Sequence, residues 1–383
     1  MPWKELSVME QRKEFVLLAN KEGANLRELC RRYEISPTTA YKWLGRFQGE
    51  GEAGLGNHSR RPQNSPLRTD ETLEARILEA REAHPRWGAR KLKRWVEDRG
   101  ATGLPSASTI HAILKRNGQI STDESAAHQA WQRFEHAQPN DLWQMDFKGH
   151  FATGAGRCHP LTVLDDHSRY VLCLGAQGDE RAASTQQQLI QTFRRYGLPW
   201  RMTMDNGAPW GDPECYTRFE LWLIRMGIKV SHSRPYHPQT QGKDERFHRT
   251  LKAEVLQGQA FRDLAHAQQK FDEWLPIYNQ ERPHEALGMN TPATRYESST
   301  RPYPEQLPEF EYGSGDIVRK VQGKGELSYK NKLYVLGQAF SGYPVALRQT
   351  RSDDCLEVYF GVHHVAIISL KESSITLKKG RGN

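Results

Sequence analysis

The sequence predicts a multidomain protein in which N-terminal all-α domains precede a central α/β core and a C-terminal small β-barrel. Three observations predict this order. Two triplets of amphipathic helices fill the first third of the chain, strand and helix patterns alternate through the middle, and short strands follow a proline-rich spacer near the end. With 383 residues, each domain has enough chain to bury its own core.

The first helical triplet is predicted over residues 1–50. "SVMEQRKEFVLLANK" and "NLRELCRRY" are helix-like, and Ser36 with Pro37 favours the start of a third helix after a three-residue turn. Two helices, a tight turn and a third helix are typical of a helix-turn-helix. The third helix would turn four polar residues toward a DNA major groove: Thr38, Thr39, Lys42 and Arg46.

Residues 51–69 are rich in Gly, Ser and Pro and are predicted to be a linker. Its Arg60 and Arg61 could hold a phosphate or enter a minor groove. A solvated pair of charges explains them equally well.

A second helical triplet is predicted over residues 70–118, followed by a linker at 119–138. Apolar stripes at helical spacing occur in any three-helix bundle, so they indicate little by themselves. Two basic bundles in tandem favour DNA binding. The last helix of this second helix-turn-helix domain would offer Ser108, Thr109 and Lys115 to DNA.

The segment 139–298 is predicted to be a mixed α/β core, because three strand-like runs suggest an antiparallel meander and shorter strands then alternate with helices. Three of its carboxylates stand at notable positions. Asp146 lies inside the apolar strand "LWQMDFKG", Asp205 closes the strand "RMTMD", and Glu245 follows the loop "HPQTQGK" on a helix. An acid among apolar neighbours needs a partner that offsets its loss of hydration.

The helix that carries Glu245 is predicted to be amphipathic. At about 100° per residue, Phe247, Leu251 and Val255 would pack on the sheet, while Asp244 is expected to face solvent. Arg249 and Lys252 share the exposed side with Glu245. Together with Lys243, they would anchor the phosphodiester backbone.

A set of nearby carboxylates is typical of a site for hard divalent cations such as Mg²⁺. Two such ions stabilise the attacking and leaving oxygens of a phosphoryl displacement. Cysteine and histidine spacing gives no zinc pattern, and the five cysteines are far apart, which excludes a disulfide framework.

The C-terminal part begins with a proline-rich linker at 299–313. Five short alternating strands over 314–373 predict the small β-barrel, and residues 374–383 form a basic tail.

Composition favours a polyanionic partner. Lys and Arg number 54 against 46 Asp and Glu, a formal charge of +8. Residues 1–140 hold 23 basic and 18 acidic side chains, whereas residues 141–310 hold 20 and 21. Without a leader-like start or a long apolar run, the protein is expected to be soluble and cytoplasmic.

Three motifs carry a family resemblance. "WQMDF", "MDNGAPW" and "HPQTQGKDERFHRTLK" closely resemble the motifs of DDE transposases of bacterial insertion sequences, in the retroviral-integrase superfamily. "YNQERPHEALGMNTPATRY" is similar to the segment that closes their catalytic domain. The resemblance spans roughly residues 139–297. No His-His-Cys-Cys zinc module precedes it, so the comparison with integrases does not extend to the N-terminus.

The resemblance implies an RNase H-like core whose catalytic acids and metal ligands are Asp146, Asp205 and Glu245. It implies two Mg²⁺ ions, with Mn²⁺ as a substitute. The protein would bind the terminal inverted repeats of its element, cleave the transposon ends and join each 3′-OH to target DNA by strand transfer. On DNA it would be a homodimer or a higher oligomer, associated with the bacterial nucleoid.

Two alternatives share this fold. A domesticated DNA-binding regulator with an idle core would be expected to lack one of the three acids. A structure-selective, metal-dependent nuclease would cleave without joining, and it would not need tandem helix-turn-helix domains.

Overall fold

The computed structural model describes residues 7–58, 69–120, 135–207, 209–211, 215–232, 242–350 and 354–378. The chain divides into two compact units, Met1–Arg68 and Thr69–Asn383. Arg60 and Arg61 lie outside the described residues.

The first unit contains a bundle of three helices: α1 (Val8–Ala19), α2 (Leu26–Arg32) and α3 (Pro37–Glu50). The caps that the sequence predicted are present. Asn25 Oδ1 accepts a hydrogen bond from the Glu28 amide, and Ser36 Oγ accepts one from the Thr39 amide. Trp43 of α3 is buried among the three helices.

The second unit begins with another bundle: α4 (Glu71–Ala83), α5 (Ala89–Asp98) and α6 (Ala107–Arg116). Asp70 caps α4 and Ser106 caps α6. The apolar stripes meet in a core that includes Ile77, Leu92 and Ile110. Two tandem helical bundles are therefore present, as the sequence predicted.

The central domain is built on a mixed sheet. Its strands are β1 (Trp143–Phe147), β2 (Phe151–Thr153), β3 (Gly156–Asp165), β4 (Val171–Gln177), β5 (Arg201–Met204) and β6 (Lys229–His232). The strand order is β2-β3-β1-β5-β6, and β4 pairs with β3. β1, β3 and β4 pair antiparallel, as predicted for the meander, and β1, β5 and β6 are parallel.

Helices cover both faces of this sheet: α7 (Ala182–Tyr196), α8 (Arg218–Arg225), α9 (Gly242–Leu251) and α10 (Leu264–Pro276). α7 and α8 share one apolar cluster with the sheet, and α9 and α10 share the cluster on the opposite face. A turn of π-helix continues α9 over Lys252–Leu256, and another continues α10 over Ile277–Glu281.

The C-terminal strands are β7 (Ile317–Lys320), β8 (Glu326–Tyr329), β9 (Lys332–Val335), β10 (Pro344–Gln349), β11 (Cys355–Phe360), β12 (His363–Ser369) and β13 (Ser374–Leu377). They form a five-stranded antiparallel sheet, ordered β13-β12-β11-β10-β7, and a β8-β9 hairpin. In the described part of this domain β7 and β13 do not pair with each other, so the predicted β-barrel is not confirmed. Alternation along a strand indicates which face is buried, but it does not indicate whether the sheet closes.

The C-terminal sheet packs directly on the central domain. Leu221 and Ile224 of α8 belong to the same apolar cluster as Val345 and Phe360. The segment between the domains also bonds to the core, since the Ser299 amide donates to the Tyr196 carbonyl over 2.8 Å. Among the described residues, no helix combines the length and the apolar character needed to cross a membrane.

Candidate active site

Asp146 lies on β1, in the middle of the sheet. Trp143 and Met145 are buried in the cluster beneath α7 and α8. Side chains alternate along a strand, so Asp146 points to the opposite face, where α9 crosses β1.

Asp205 follows β5, the parallel neighbour of β1. Gln144 pairs with Thr203 in the parallel register, so Asp146 and Asp205, each two residues further along, come to the same edge of the sheet. The Asp205 side chain is exposed there, and its Oδ1 accepts a hydrogen bond from the Asn206 amide over 2.8 Å.

A buried histidine fixes the backbone of Asp205. Nδ1 of His232, at the end of β6, donates to the Asp205 carbonyl over 3.0 Å. Its Nε2 lies 2.7 Å from Oε1 of Glu220 on α8, and both side chains are buried. A carbonyl oxygen can only accept, so Nδ1 is the donor to Asp205 and the Nε2 side of the ring contacts Glu220.

The His232–Glu220 pair was not predicted from the sequence, although a local pattern indicates the role of Glu220 at the start of α8. Thr217 and Glu220 form a capping box at the start of α8, and a threonine three residues before a glutamate is the usual sequence sign of that motif. Nothing in the sequence indicated that the same glutamate also reaches β6.

Glu245 stands on the exposed side of α9. Phe247, Leu251 and Val255 are buried against the sheet, which confirms the predicted inward face. Glu245, Arg249 and Lys252 are exposed. Glu245 therefore reaches solvent on the same face of the sheet as Asp146.

The electrostatics of Asp146 show that the three acids act on one another. Burial, followed by the charge of Asp205 and more weakly that of Glu245, raises the pKa of Asp146 to about 7. A carboxyl that burial and neighbouring carboxylates hold partly protonated is one that a bound cation would ionise.

His248, one turn after Glu245, faces Asp146. Thr162 Oγ1 donates to the Asp146 carbonyl, so it accepts from His248 Nε2 over 2.9 Å. Burial lowers the pKa of His248 to about 4, and the ring is neutral at pH 7. Its unprotonated Nδ1 therefore turns a lone pair toward Asp146 Oδ2, 3.9 Å away.

The neighbours of Glu245 on α9 differ from expectation. Asp244 was expected to face solvent, but this was wrong: its side chain is buried at 2 % exposure. Burial and the charges of Asp146 and Asp166 raise its pKa well above the ordinary value. Lys243 forms an ion pair through Nζ with the buried carboxylate of Asp166. Its contact with DNA stays a prediction.

The donor set fits a hard divalent cation. Carboxylate oxygens are the ligands such ions prefer, and the charges of Asp205 and Glu245 contribute, after burial, to the raised pKa of Asp146. Among the described residues, no three His, Cys, Asp or Glu side chains are already gathered as a metal site. The carboxylates thus share one edge of the sheet without forming a closed cage.

The other predicted DNA contacts lie on exposed surfaces of the helical bundles. Thr38 and Lys42 are exposed on α3, while Thr39 bonds to the cap Ser36 and Arg46 lies over the Trp43 ring. On α6, Ser108, Thr109 and Lys115 are all exposed. Their contact with DNA stays a prediction.

Family models match most of these domains. The model described as "Integrase core domain" matches residues 136–238, and a second model of the same description matches 226–292. "Helix-turn-helix domain" matches 11–63, "Homeodomain-like domain" matches 39–114, and "IS481 family transposase, C-terminal domain" matches 316–376.

Several curated relatives are proteins of insertion elements. An uncharacterized 39.2 kDa protein of insertion element IS476 from Xanthomonas euvesicatoria is 28% identical over 248 residues, which are 63% of this chain and 69% of that protein. A putative transposase for insertion sequence element IS5376 from Geobacillus stearothermophilus is 25% identical over 195 residues, 49% of this chain and 48% of that protein.

Among solved structures, the chain is similar to a simian T-cell lymphotropic virus intasome, with 14% identity, a TM-score of 0.37 and coverage of 78% of this chain and 94% of the other. The HTLV-2 integrase catalytic core domain in complex with magnesium gives 17% identity, a TM-score of 0.31 and coverage of 42% and 97%.

The mixed sheet and the matched core define an integrase-core protein that carries helix-turn-helix domains. The match to a transposase C-terminal domain and the insertion-element relatives support, more particularly, a DDE-type transposase of an insertion sequence.

Proposed function

We propose that this protein binds the terminal inverted repeats of its insertion sequence, hydrolyses the phosphodiester at each transposon end and joins the freed 3′-OH to target DNA. One observation carries the proposal. Asp146 and Asp205 lie at the same edge of two adjacent parallel strands, and their charges interact with each other and with Glu245 on the neighbouring helix.

Asp146, Asp205 and Glu245 would hold two Mg²⁺ ions, for which Mn²⁺ would substitute. When bound, these ions supply charge stabilisation for the attacking and leaving oxygens of the phosphoryl transfer. Neutral His248 would keep its proton on Nε2, toward Thr162, and leave the Asp146 carboxylate without a hydrogen-bond donor on that side.

The exposed cations beside Glu245 would position the DNA. Arg249 and Lys252 lie on the same exposed side of α9 and its π-helical continuation, where they would contact backbone phosphates near the scissile bond. Two transposon ends must meet one target, so a homodimer or larger assembly would form on DNA.

The test is a strand-transfer assay in Mg²⁺ with end-labelled DNA from the flanks of the gene. Wild type is expected to give joined products. The Glu245→Gln variant is expected to bind the same DNA with unchanged affinity and to lose joining by more than about 10³-fold, the equivalent of several kcal/mol of lost charge stabilisation.

Glu273→Gln on α10 is the matched control, because this glutamate is exposed and bonds only to residues of its own helix. It should retain wild-type joining. Cleaved ends without joined products would favour the nuclease, and DNA binding without cleavage in either Mg²⁺ or Mn²⁺ would favour the regulator.

A further inference from the structure

The second helical bundle and the central domain share a group of cationic and imidazole side chains, which we call the interdomain cationic cluster. It comprises Lys91 of α5, Arg246 of α9, and Arg282 and His284 from the segment after α10. The charges of Arg282 and Arg246 act on both Lys91 and His284. The Tyr278 ring contacts the rings of both Phe247, next to Arg246, and His284. All four belong to the same compact unit. The predicted function assigned a role to none of them.

The bundle is fixed on the core beside this cluster. Trp95 Nε1 donates to Glu281 Oε2 over 3.3 Å, and Arg99 bonds to the same oxygen over 2.7 Å. Ile277 packs against the apolar core of the bundle. Lys91 of the bundle therefore faces the side chains of the core rather than open solvent.

The carboxylates near the cluster, Glu254 and Glu285, already have partners. Arg282 donates to Glu254 Oε1 over 2.9 Å, and Glu254 also accepts from Trp274. Glu285 lies 3.7 Å from Arg90. Within the described part of the chain, Lys91 and Arg246 form no ion pair or side-chain hydrogen bond.

His284 contributes an unused polar atom. Its Nε2 is shielded from solvent and has no hydrogen-bond partner in the described structure. The ring lies edge-on to Tyr278, with centroids 4.8 Å apart. Burial and the charges of Arg282 and Lys91 hold the pKa of His284 well below its usual value, so the ring is neutral and can offer one N–H.

We propose that the interdomain cationic cluster binds one backbone phosphate of the transposon-end DNA, in the junction between the second helical bundle and α9. The inference rests on the proposed function. Lys91, Arg246 and His284 supply uncommitted nitrogen atoms to one junction, and phosphate oxygens accept hydrogen bonds from all three groups. Because Arg246 follows Glu245, this contact would fix the DNA next to the catalytic helix.

The pKa of Lys91 depends on the charges around it. Burial, followed by the charge of Arg282, lowers the pKa of Lys91 to about 7. The groups that face it are Arg282 and Arg246, which lower its pKa, and Glu254 and Glu285, which raise it. A bound phosphate would raise this pKa, so DNA binding should take up a proton above pH 7.

The test is the salt dependence of binding to a fluorescent duplex from the flanks of the gene, measured for wild type, Lys91→Gln and Arg246→Gln. Each variant should reduce the slope of log K against log[salt] by about one, the amount expected for one lost phosphate contact. Affinity of wild type should fall from pH 6.5 to 8.5 more steeply than that of Lys91→Gln.

Lys93→Gln is the matched control, because this lysine lies on the same helix and is already paired with Glu97 over 2.8 Å. It should keep the wild-type slope, and Lys91→Arg should restore it. Wild-type slopes in both Lys91→Gln and Arg246→Gln would overturn the phosphate site. The measurement requires no catalysis, so a protein that binds the ends but never joins them would refute the proposed function and leave this site standing.

Discussion

At the scale of single residues, Asp146 is an acid whose pKa is clearly raised in the folded protein. It is about one quarter exposed, and its pKa is raised from 3.8 to about 7, chiefly by burial. The folded protein therefore holds a proton between about pH 4 and 7 that the unfolded chain has released. By linkage, this contribution to stability is fully present at low pH and is lost as pH rises through about 7.

Replacing Asp146 with Asn should therefore stabilise the metal-free protein at pH 8 and change little at pH 4. A pKa difference of this size corresponds to about 4 kcal/mol, and the partial exposure of the side chain reduces the expected gain to about 2 kcal/mol. Thermal unfolding in EDTA at the two pH values measures it. Added Mg²⁺ should raise the melting temperature of wild type but not of Asp146→Asn.

A gain of equal size at both pH values would contradict the raised pKa, because an asparagine that merely packs better would stabilise the protein without regard to pH. Glu273→Gln again serves as the control, and its exposed side chain should give no difference.

The same residue shows what the sequence could and could not predict. An acid inside the apolar run "LWQMDFKG" was visible as an exception to the strand pattern, and it led correctly to β1. The neutral His248 beside it was not predictable, because its lowered pKa results chiefly from burial in the folded domain, and the nitrogen that carries its proton is set by Thr162, a residue 86 positions away. Helical periodicity placed Phe247 inward. At about 100° per residue it also puts Asp244 within about 20° of Leu251, so the burial of Asp244 follows from the same pattern, although solvent exposure was expected.

At the scale of secondary-structure elements, the His232–Glu220 pair joins α8 and β6 to the end of β5. Both side chains are buried, and their contact is 2.7 Å. Removal of one partner leaves the other in a place with little water, which costs about 3 kcal/mol or more in comparable buried pairs.

His232→Ala and Glu220→Ala should each lower the free energy of unfolding by about this amount, and the double variant should lose clearly less than the sum. Chemical denaturation of the four proteins closes the cycle. Additive losses would mean that the two side chains stabilise their elements independently.

Local signals were sufficient for many elements but not for their ends. α8 begins at Arg218, where Thr217 provides the cap, whereas the sequence pattern indicated only that strands and helices alternate in this region. The π-helical turns after α9 and α10 were not predicted from the sequence.

At the scale of the whole molecule, the second unit behaves as one body from the second bundle to the C-terminal sheet. A chain that ends at residue 313 should therefore be poorly soluble. Leu221 and Ile224, buried at 1 % and 4 % exposure, would each lose about 1.5 to 3 kcal/mol of burial and present an apolar face to solvent.

Size-exclusion chromatography would show this truncated chain as aggregates. The double substitution Leu221→Lys and Ile224→Lys should restore a monodisperse peak to the truncated chain. The same double substitution should destabilise the full-length chain. A soluble truncated chain with its original leucine and isoleucine would show that the C-terminal sheet is dispensable for the core.

The shared helix α8 also limits how such proteins can exchange parts. Phe219, Trp222 and Leu223 fill the core of the central sheet, while Leu221 and Ile224 fill that of the C-terminal sheet. A hybrid that takes its last domain from a relative and keeps this helix would join two surfaces that never adapted to each other. The C-terminal domain therefore depends on one side of an eight-residue helix. That helix lies almost a hundred positions before the strands that pack on it.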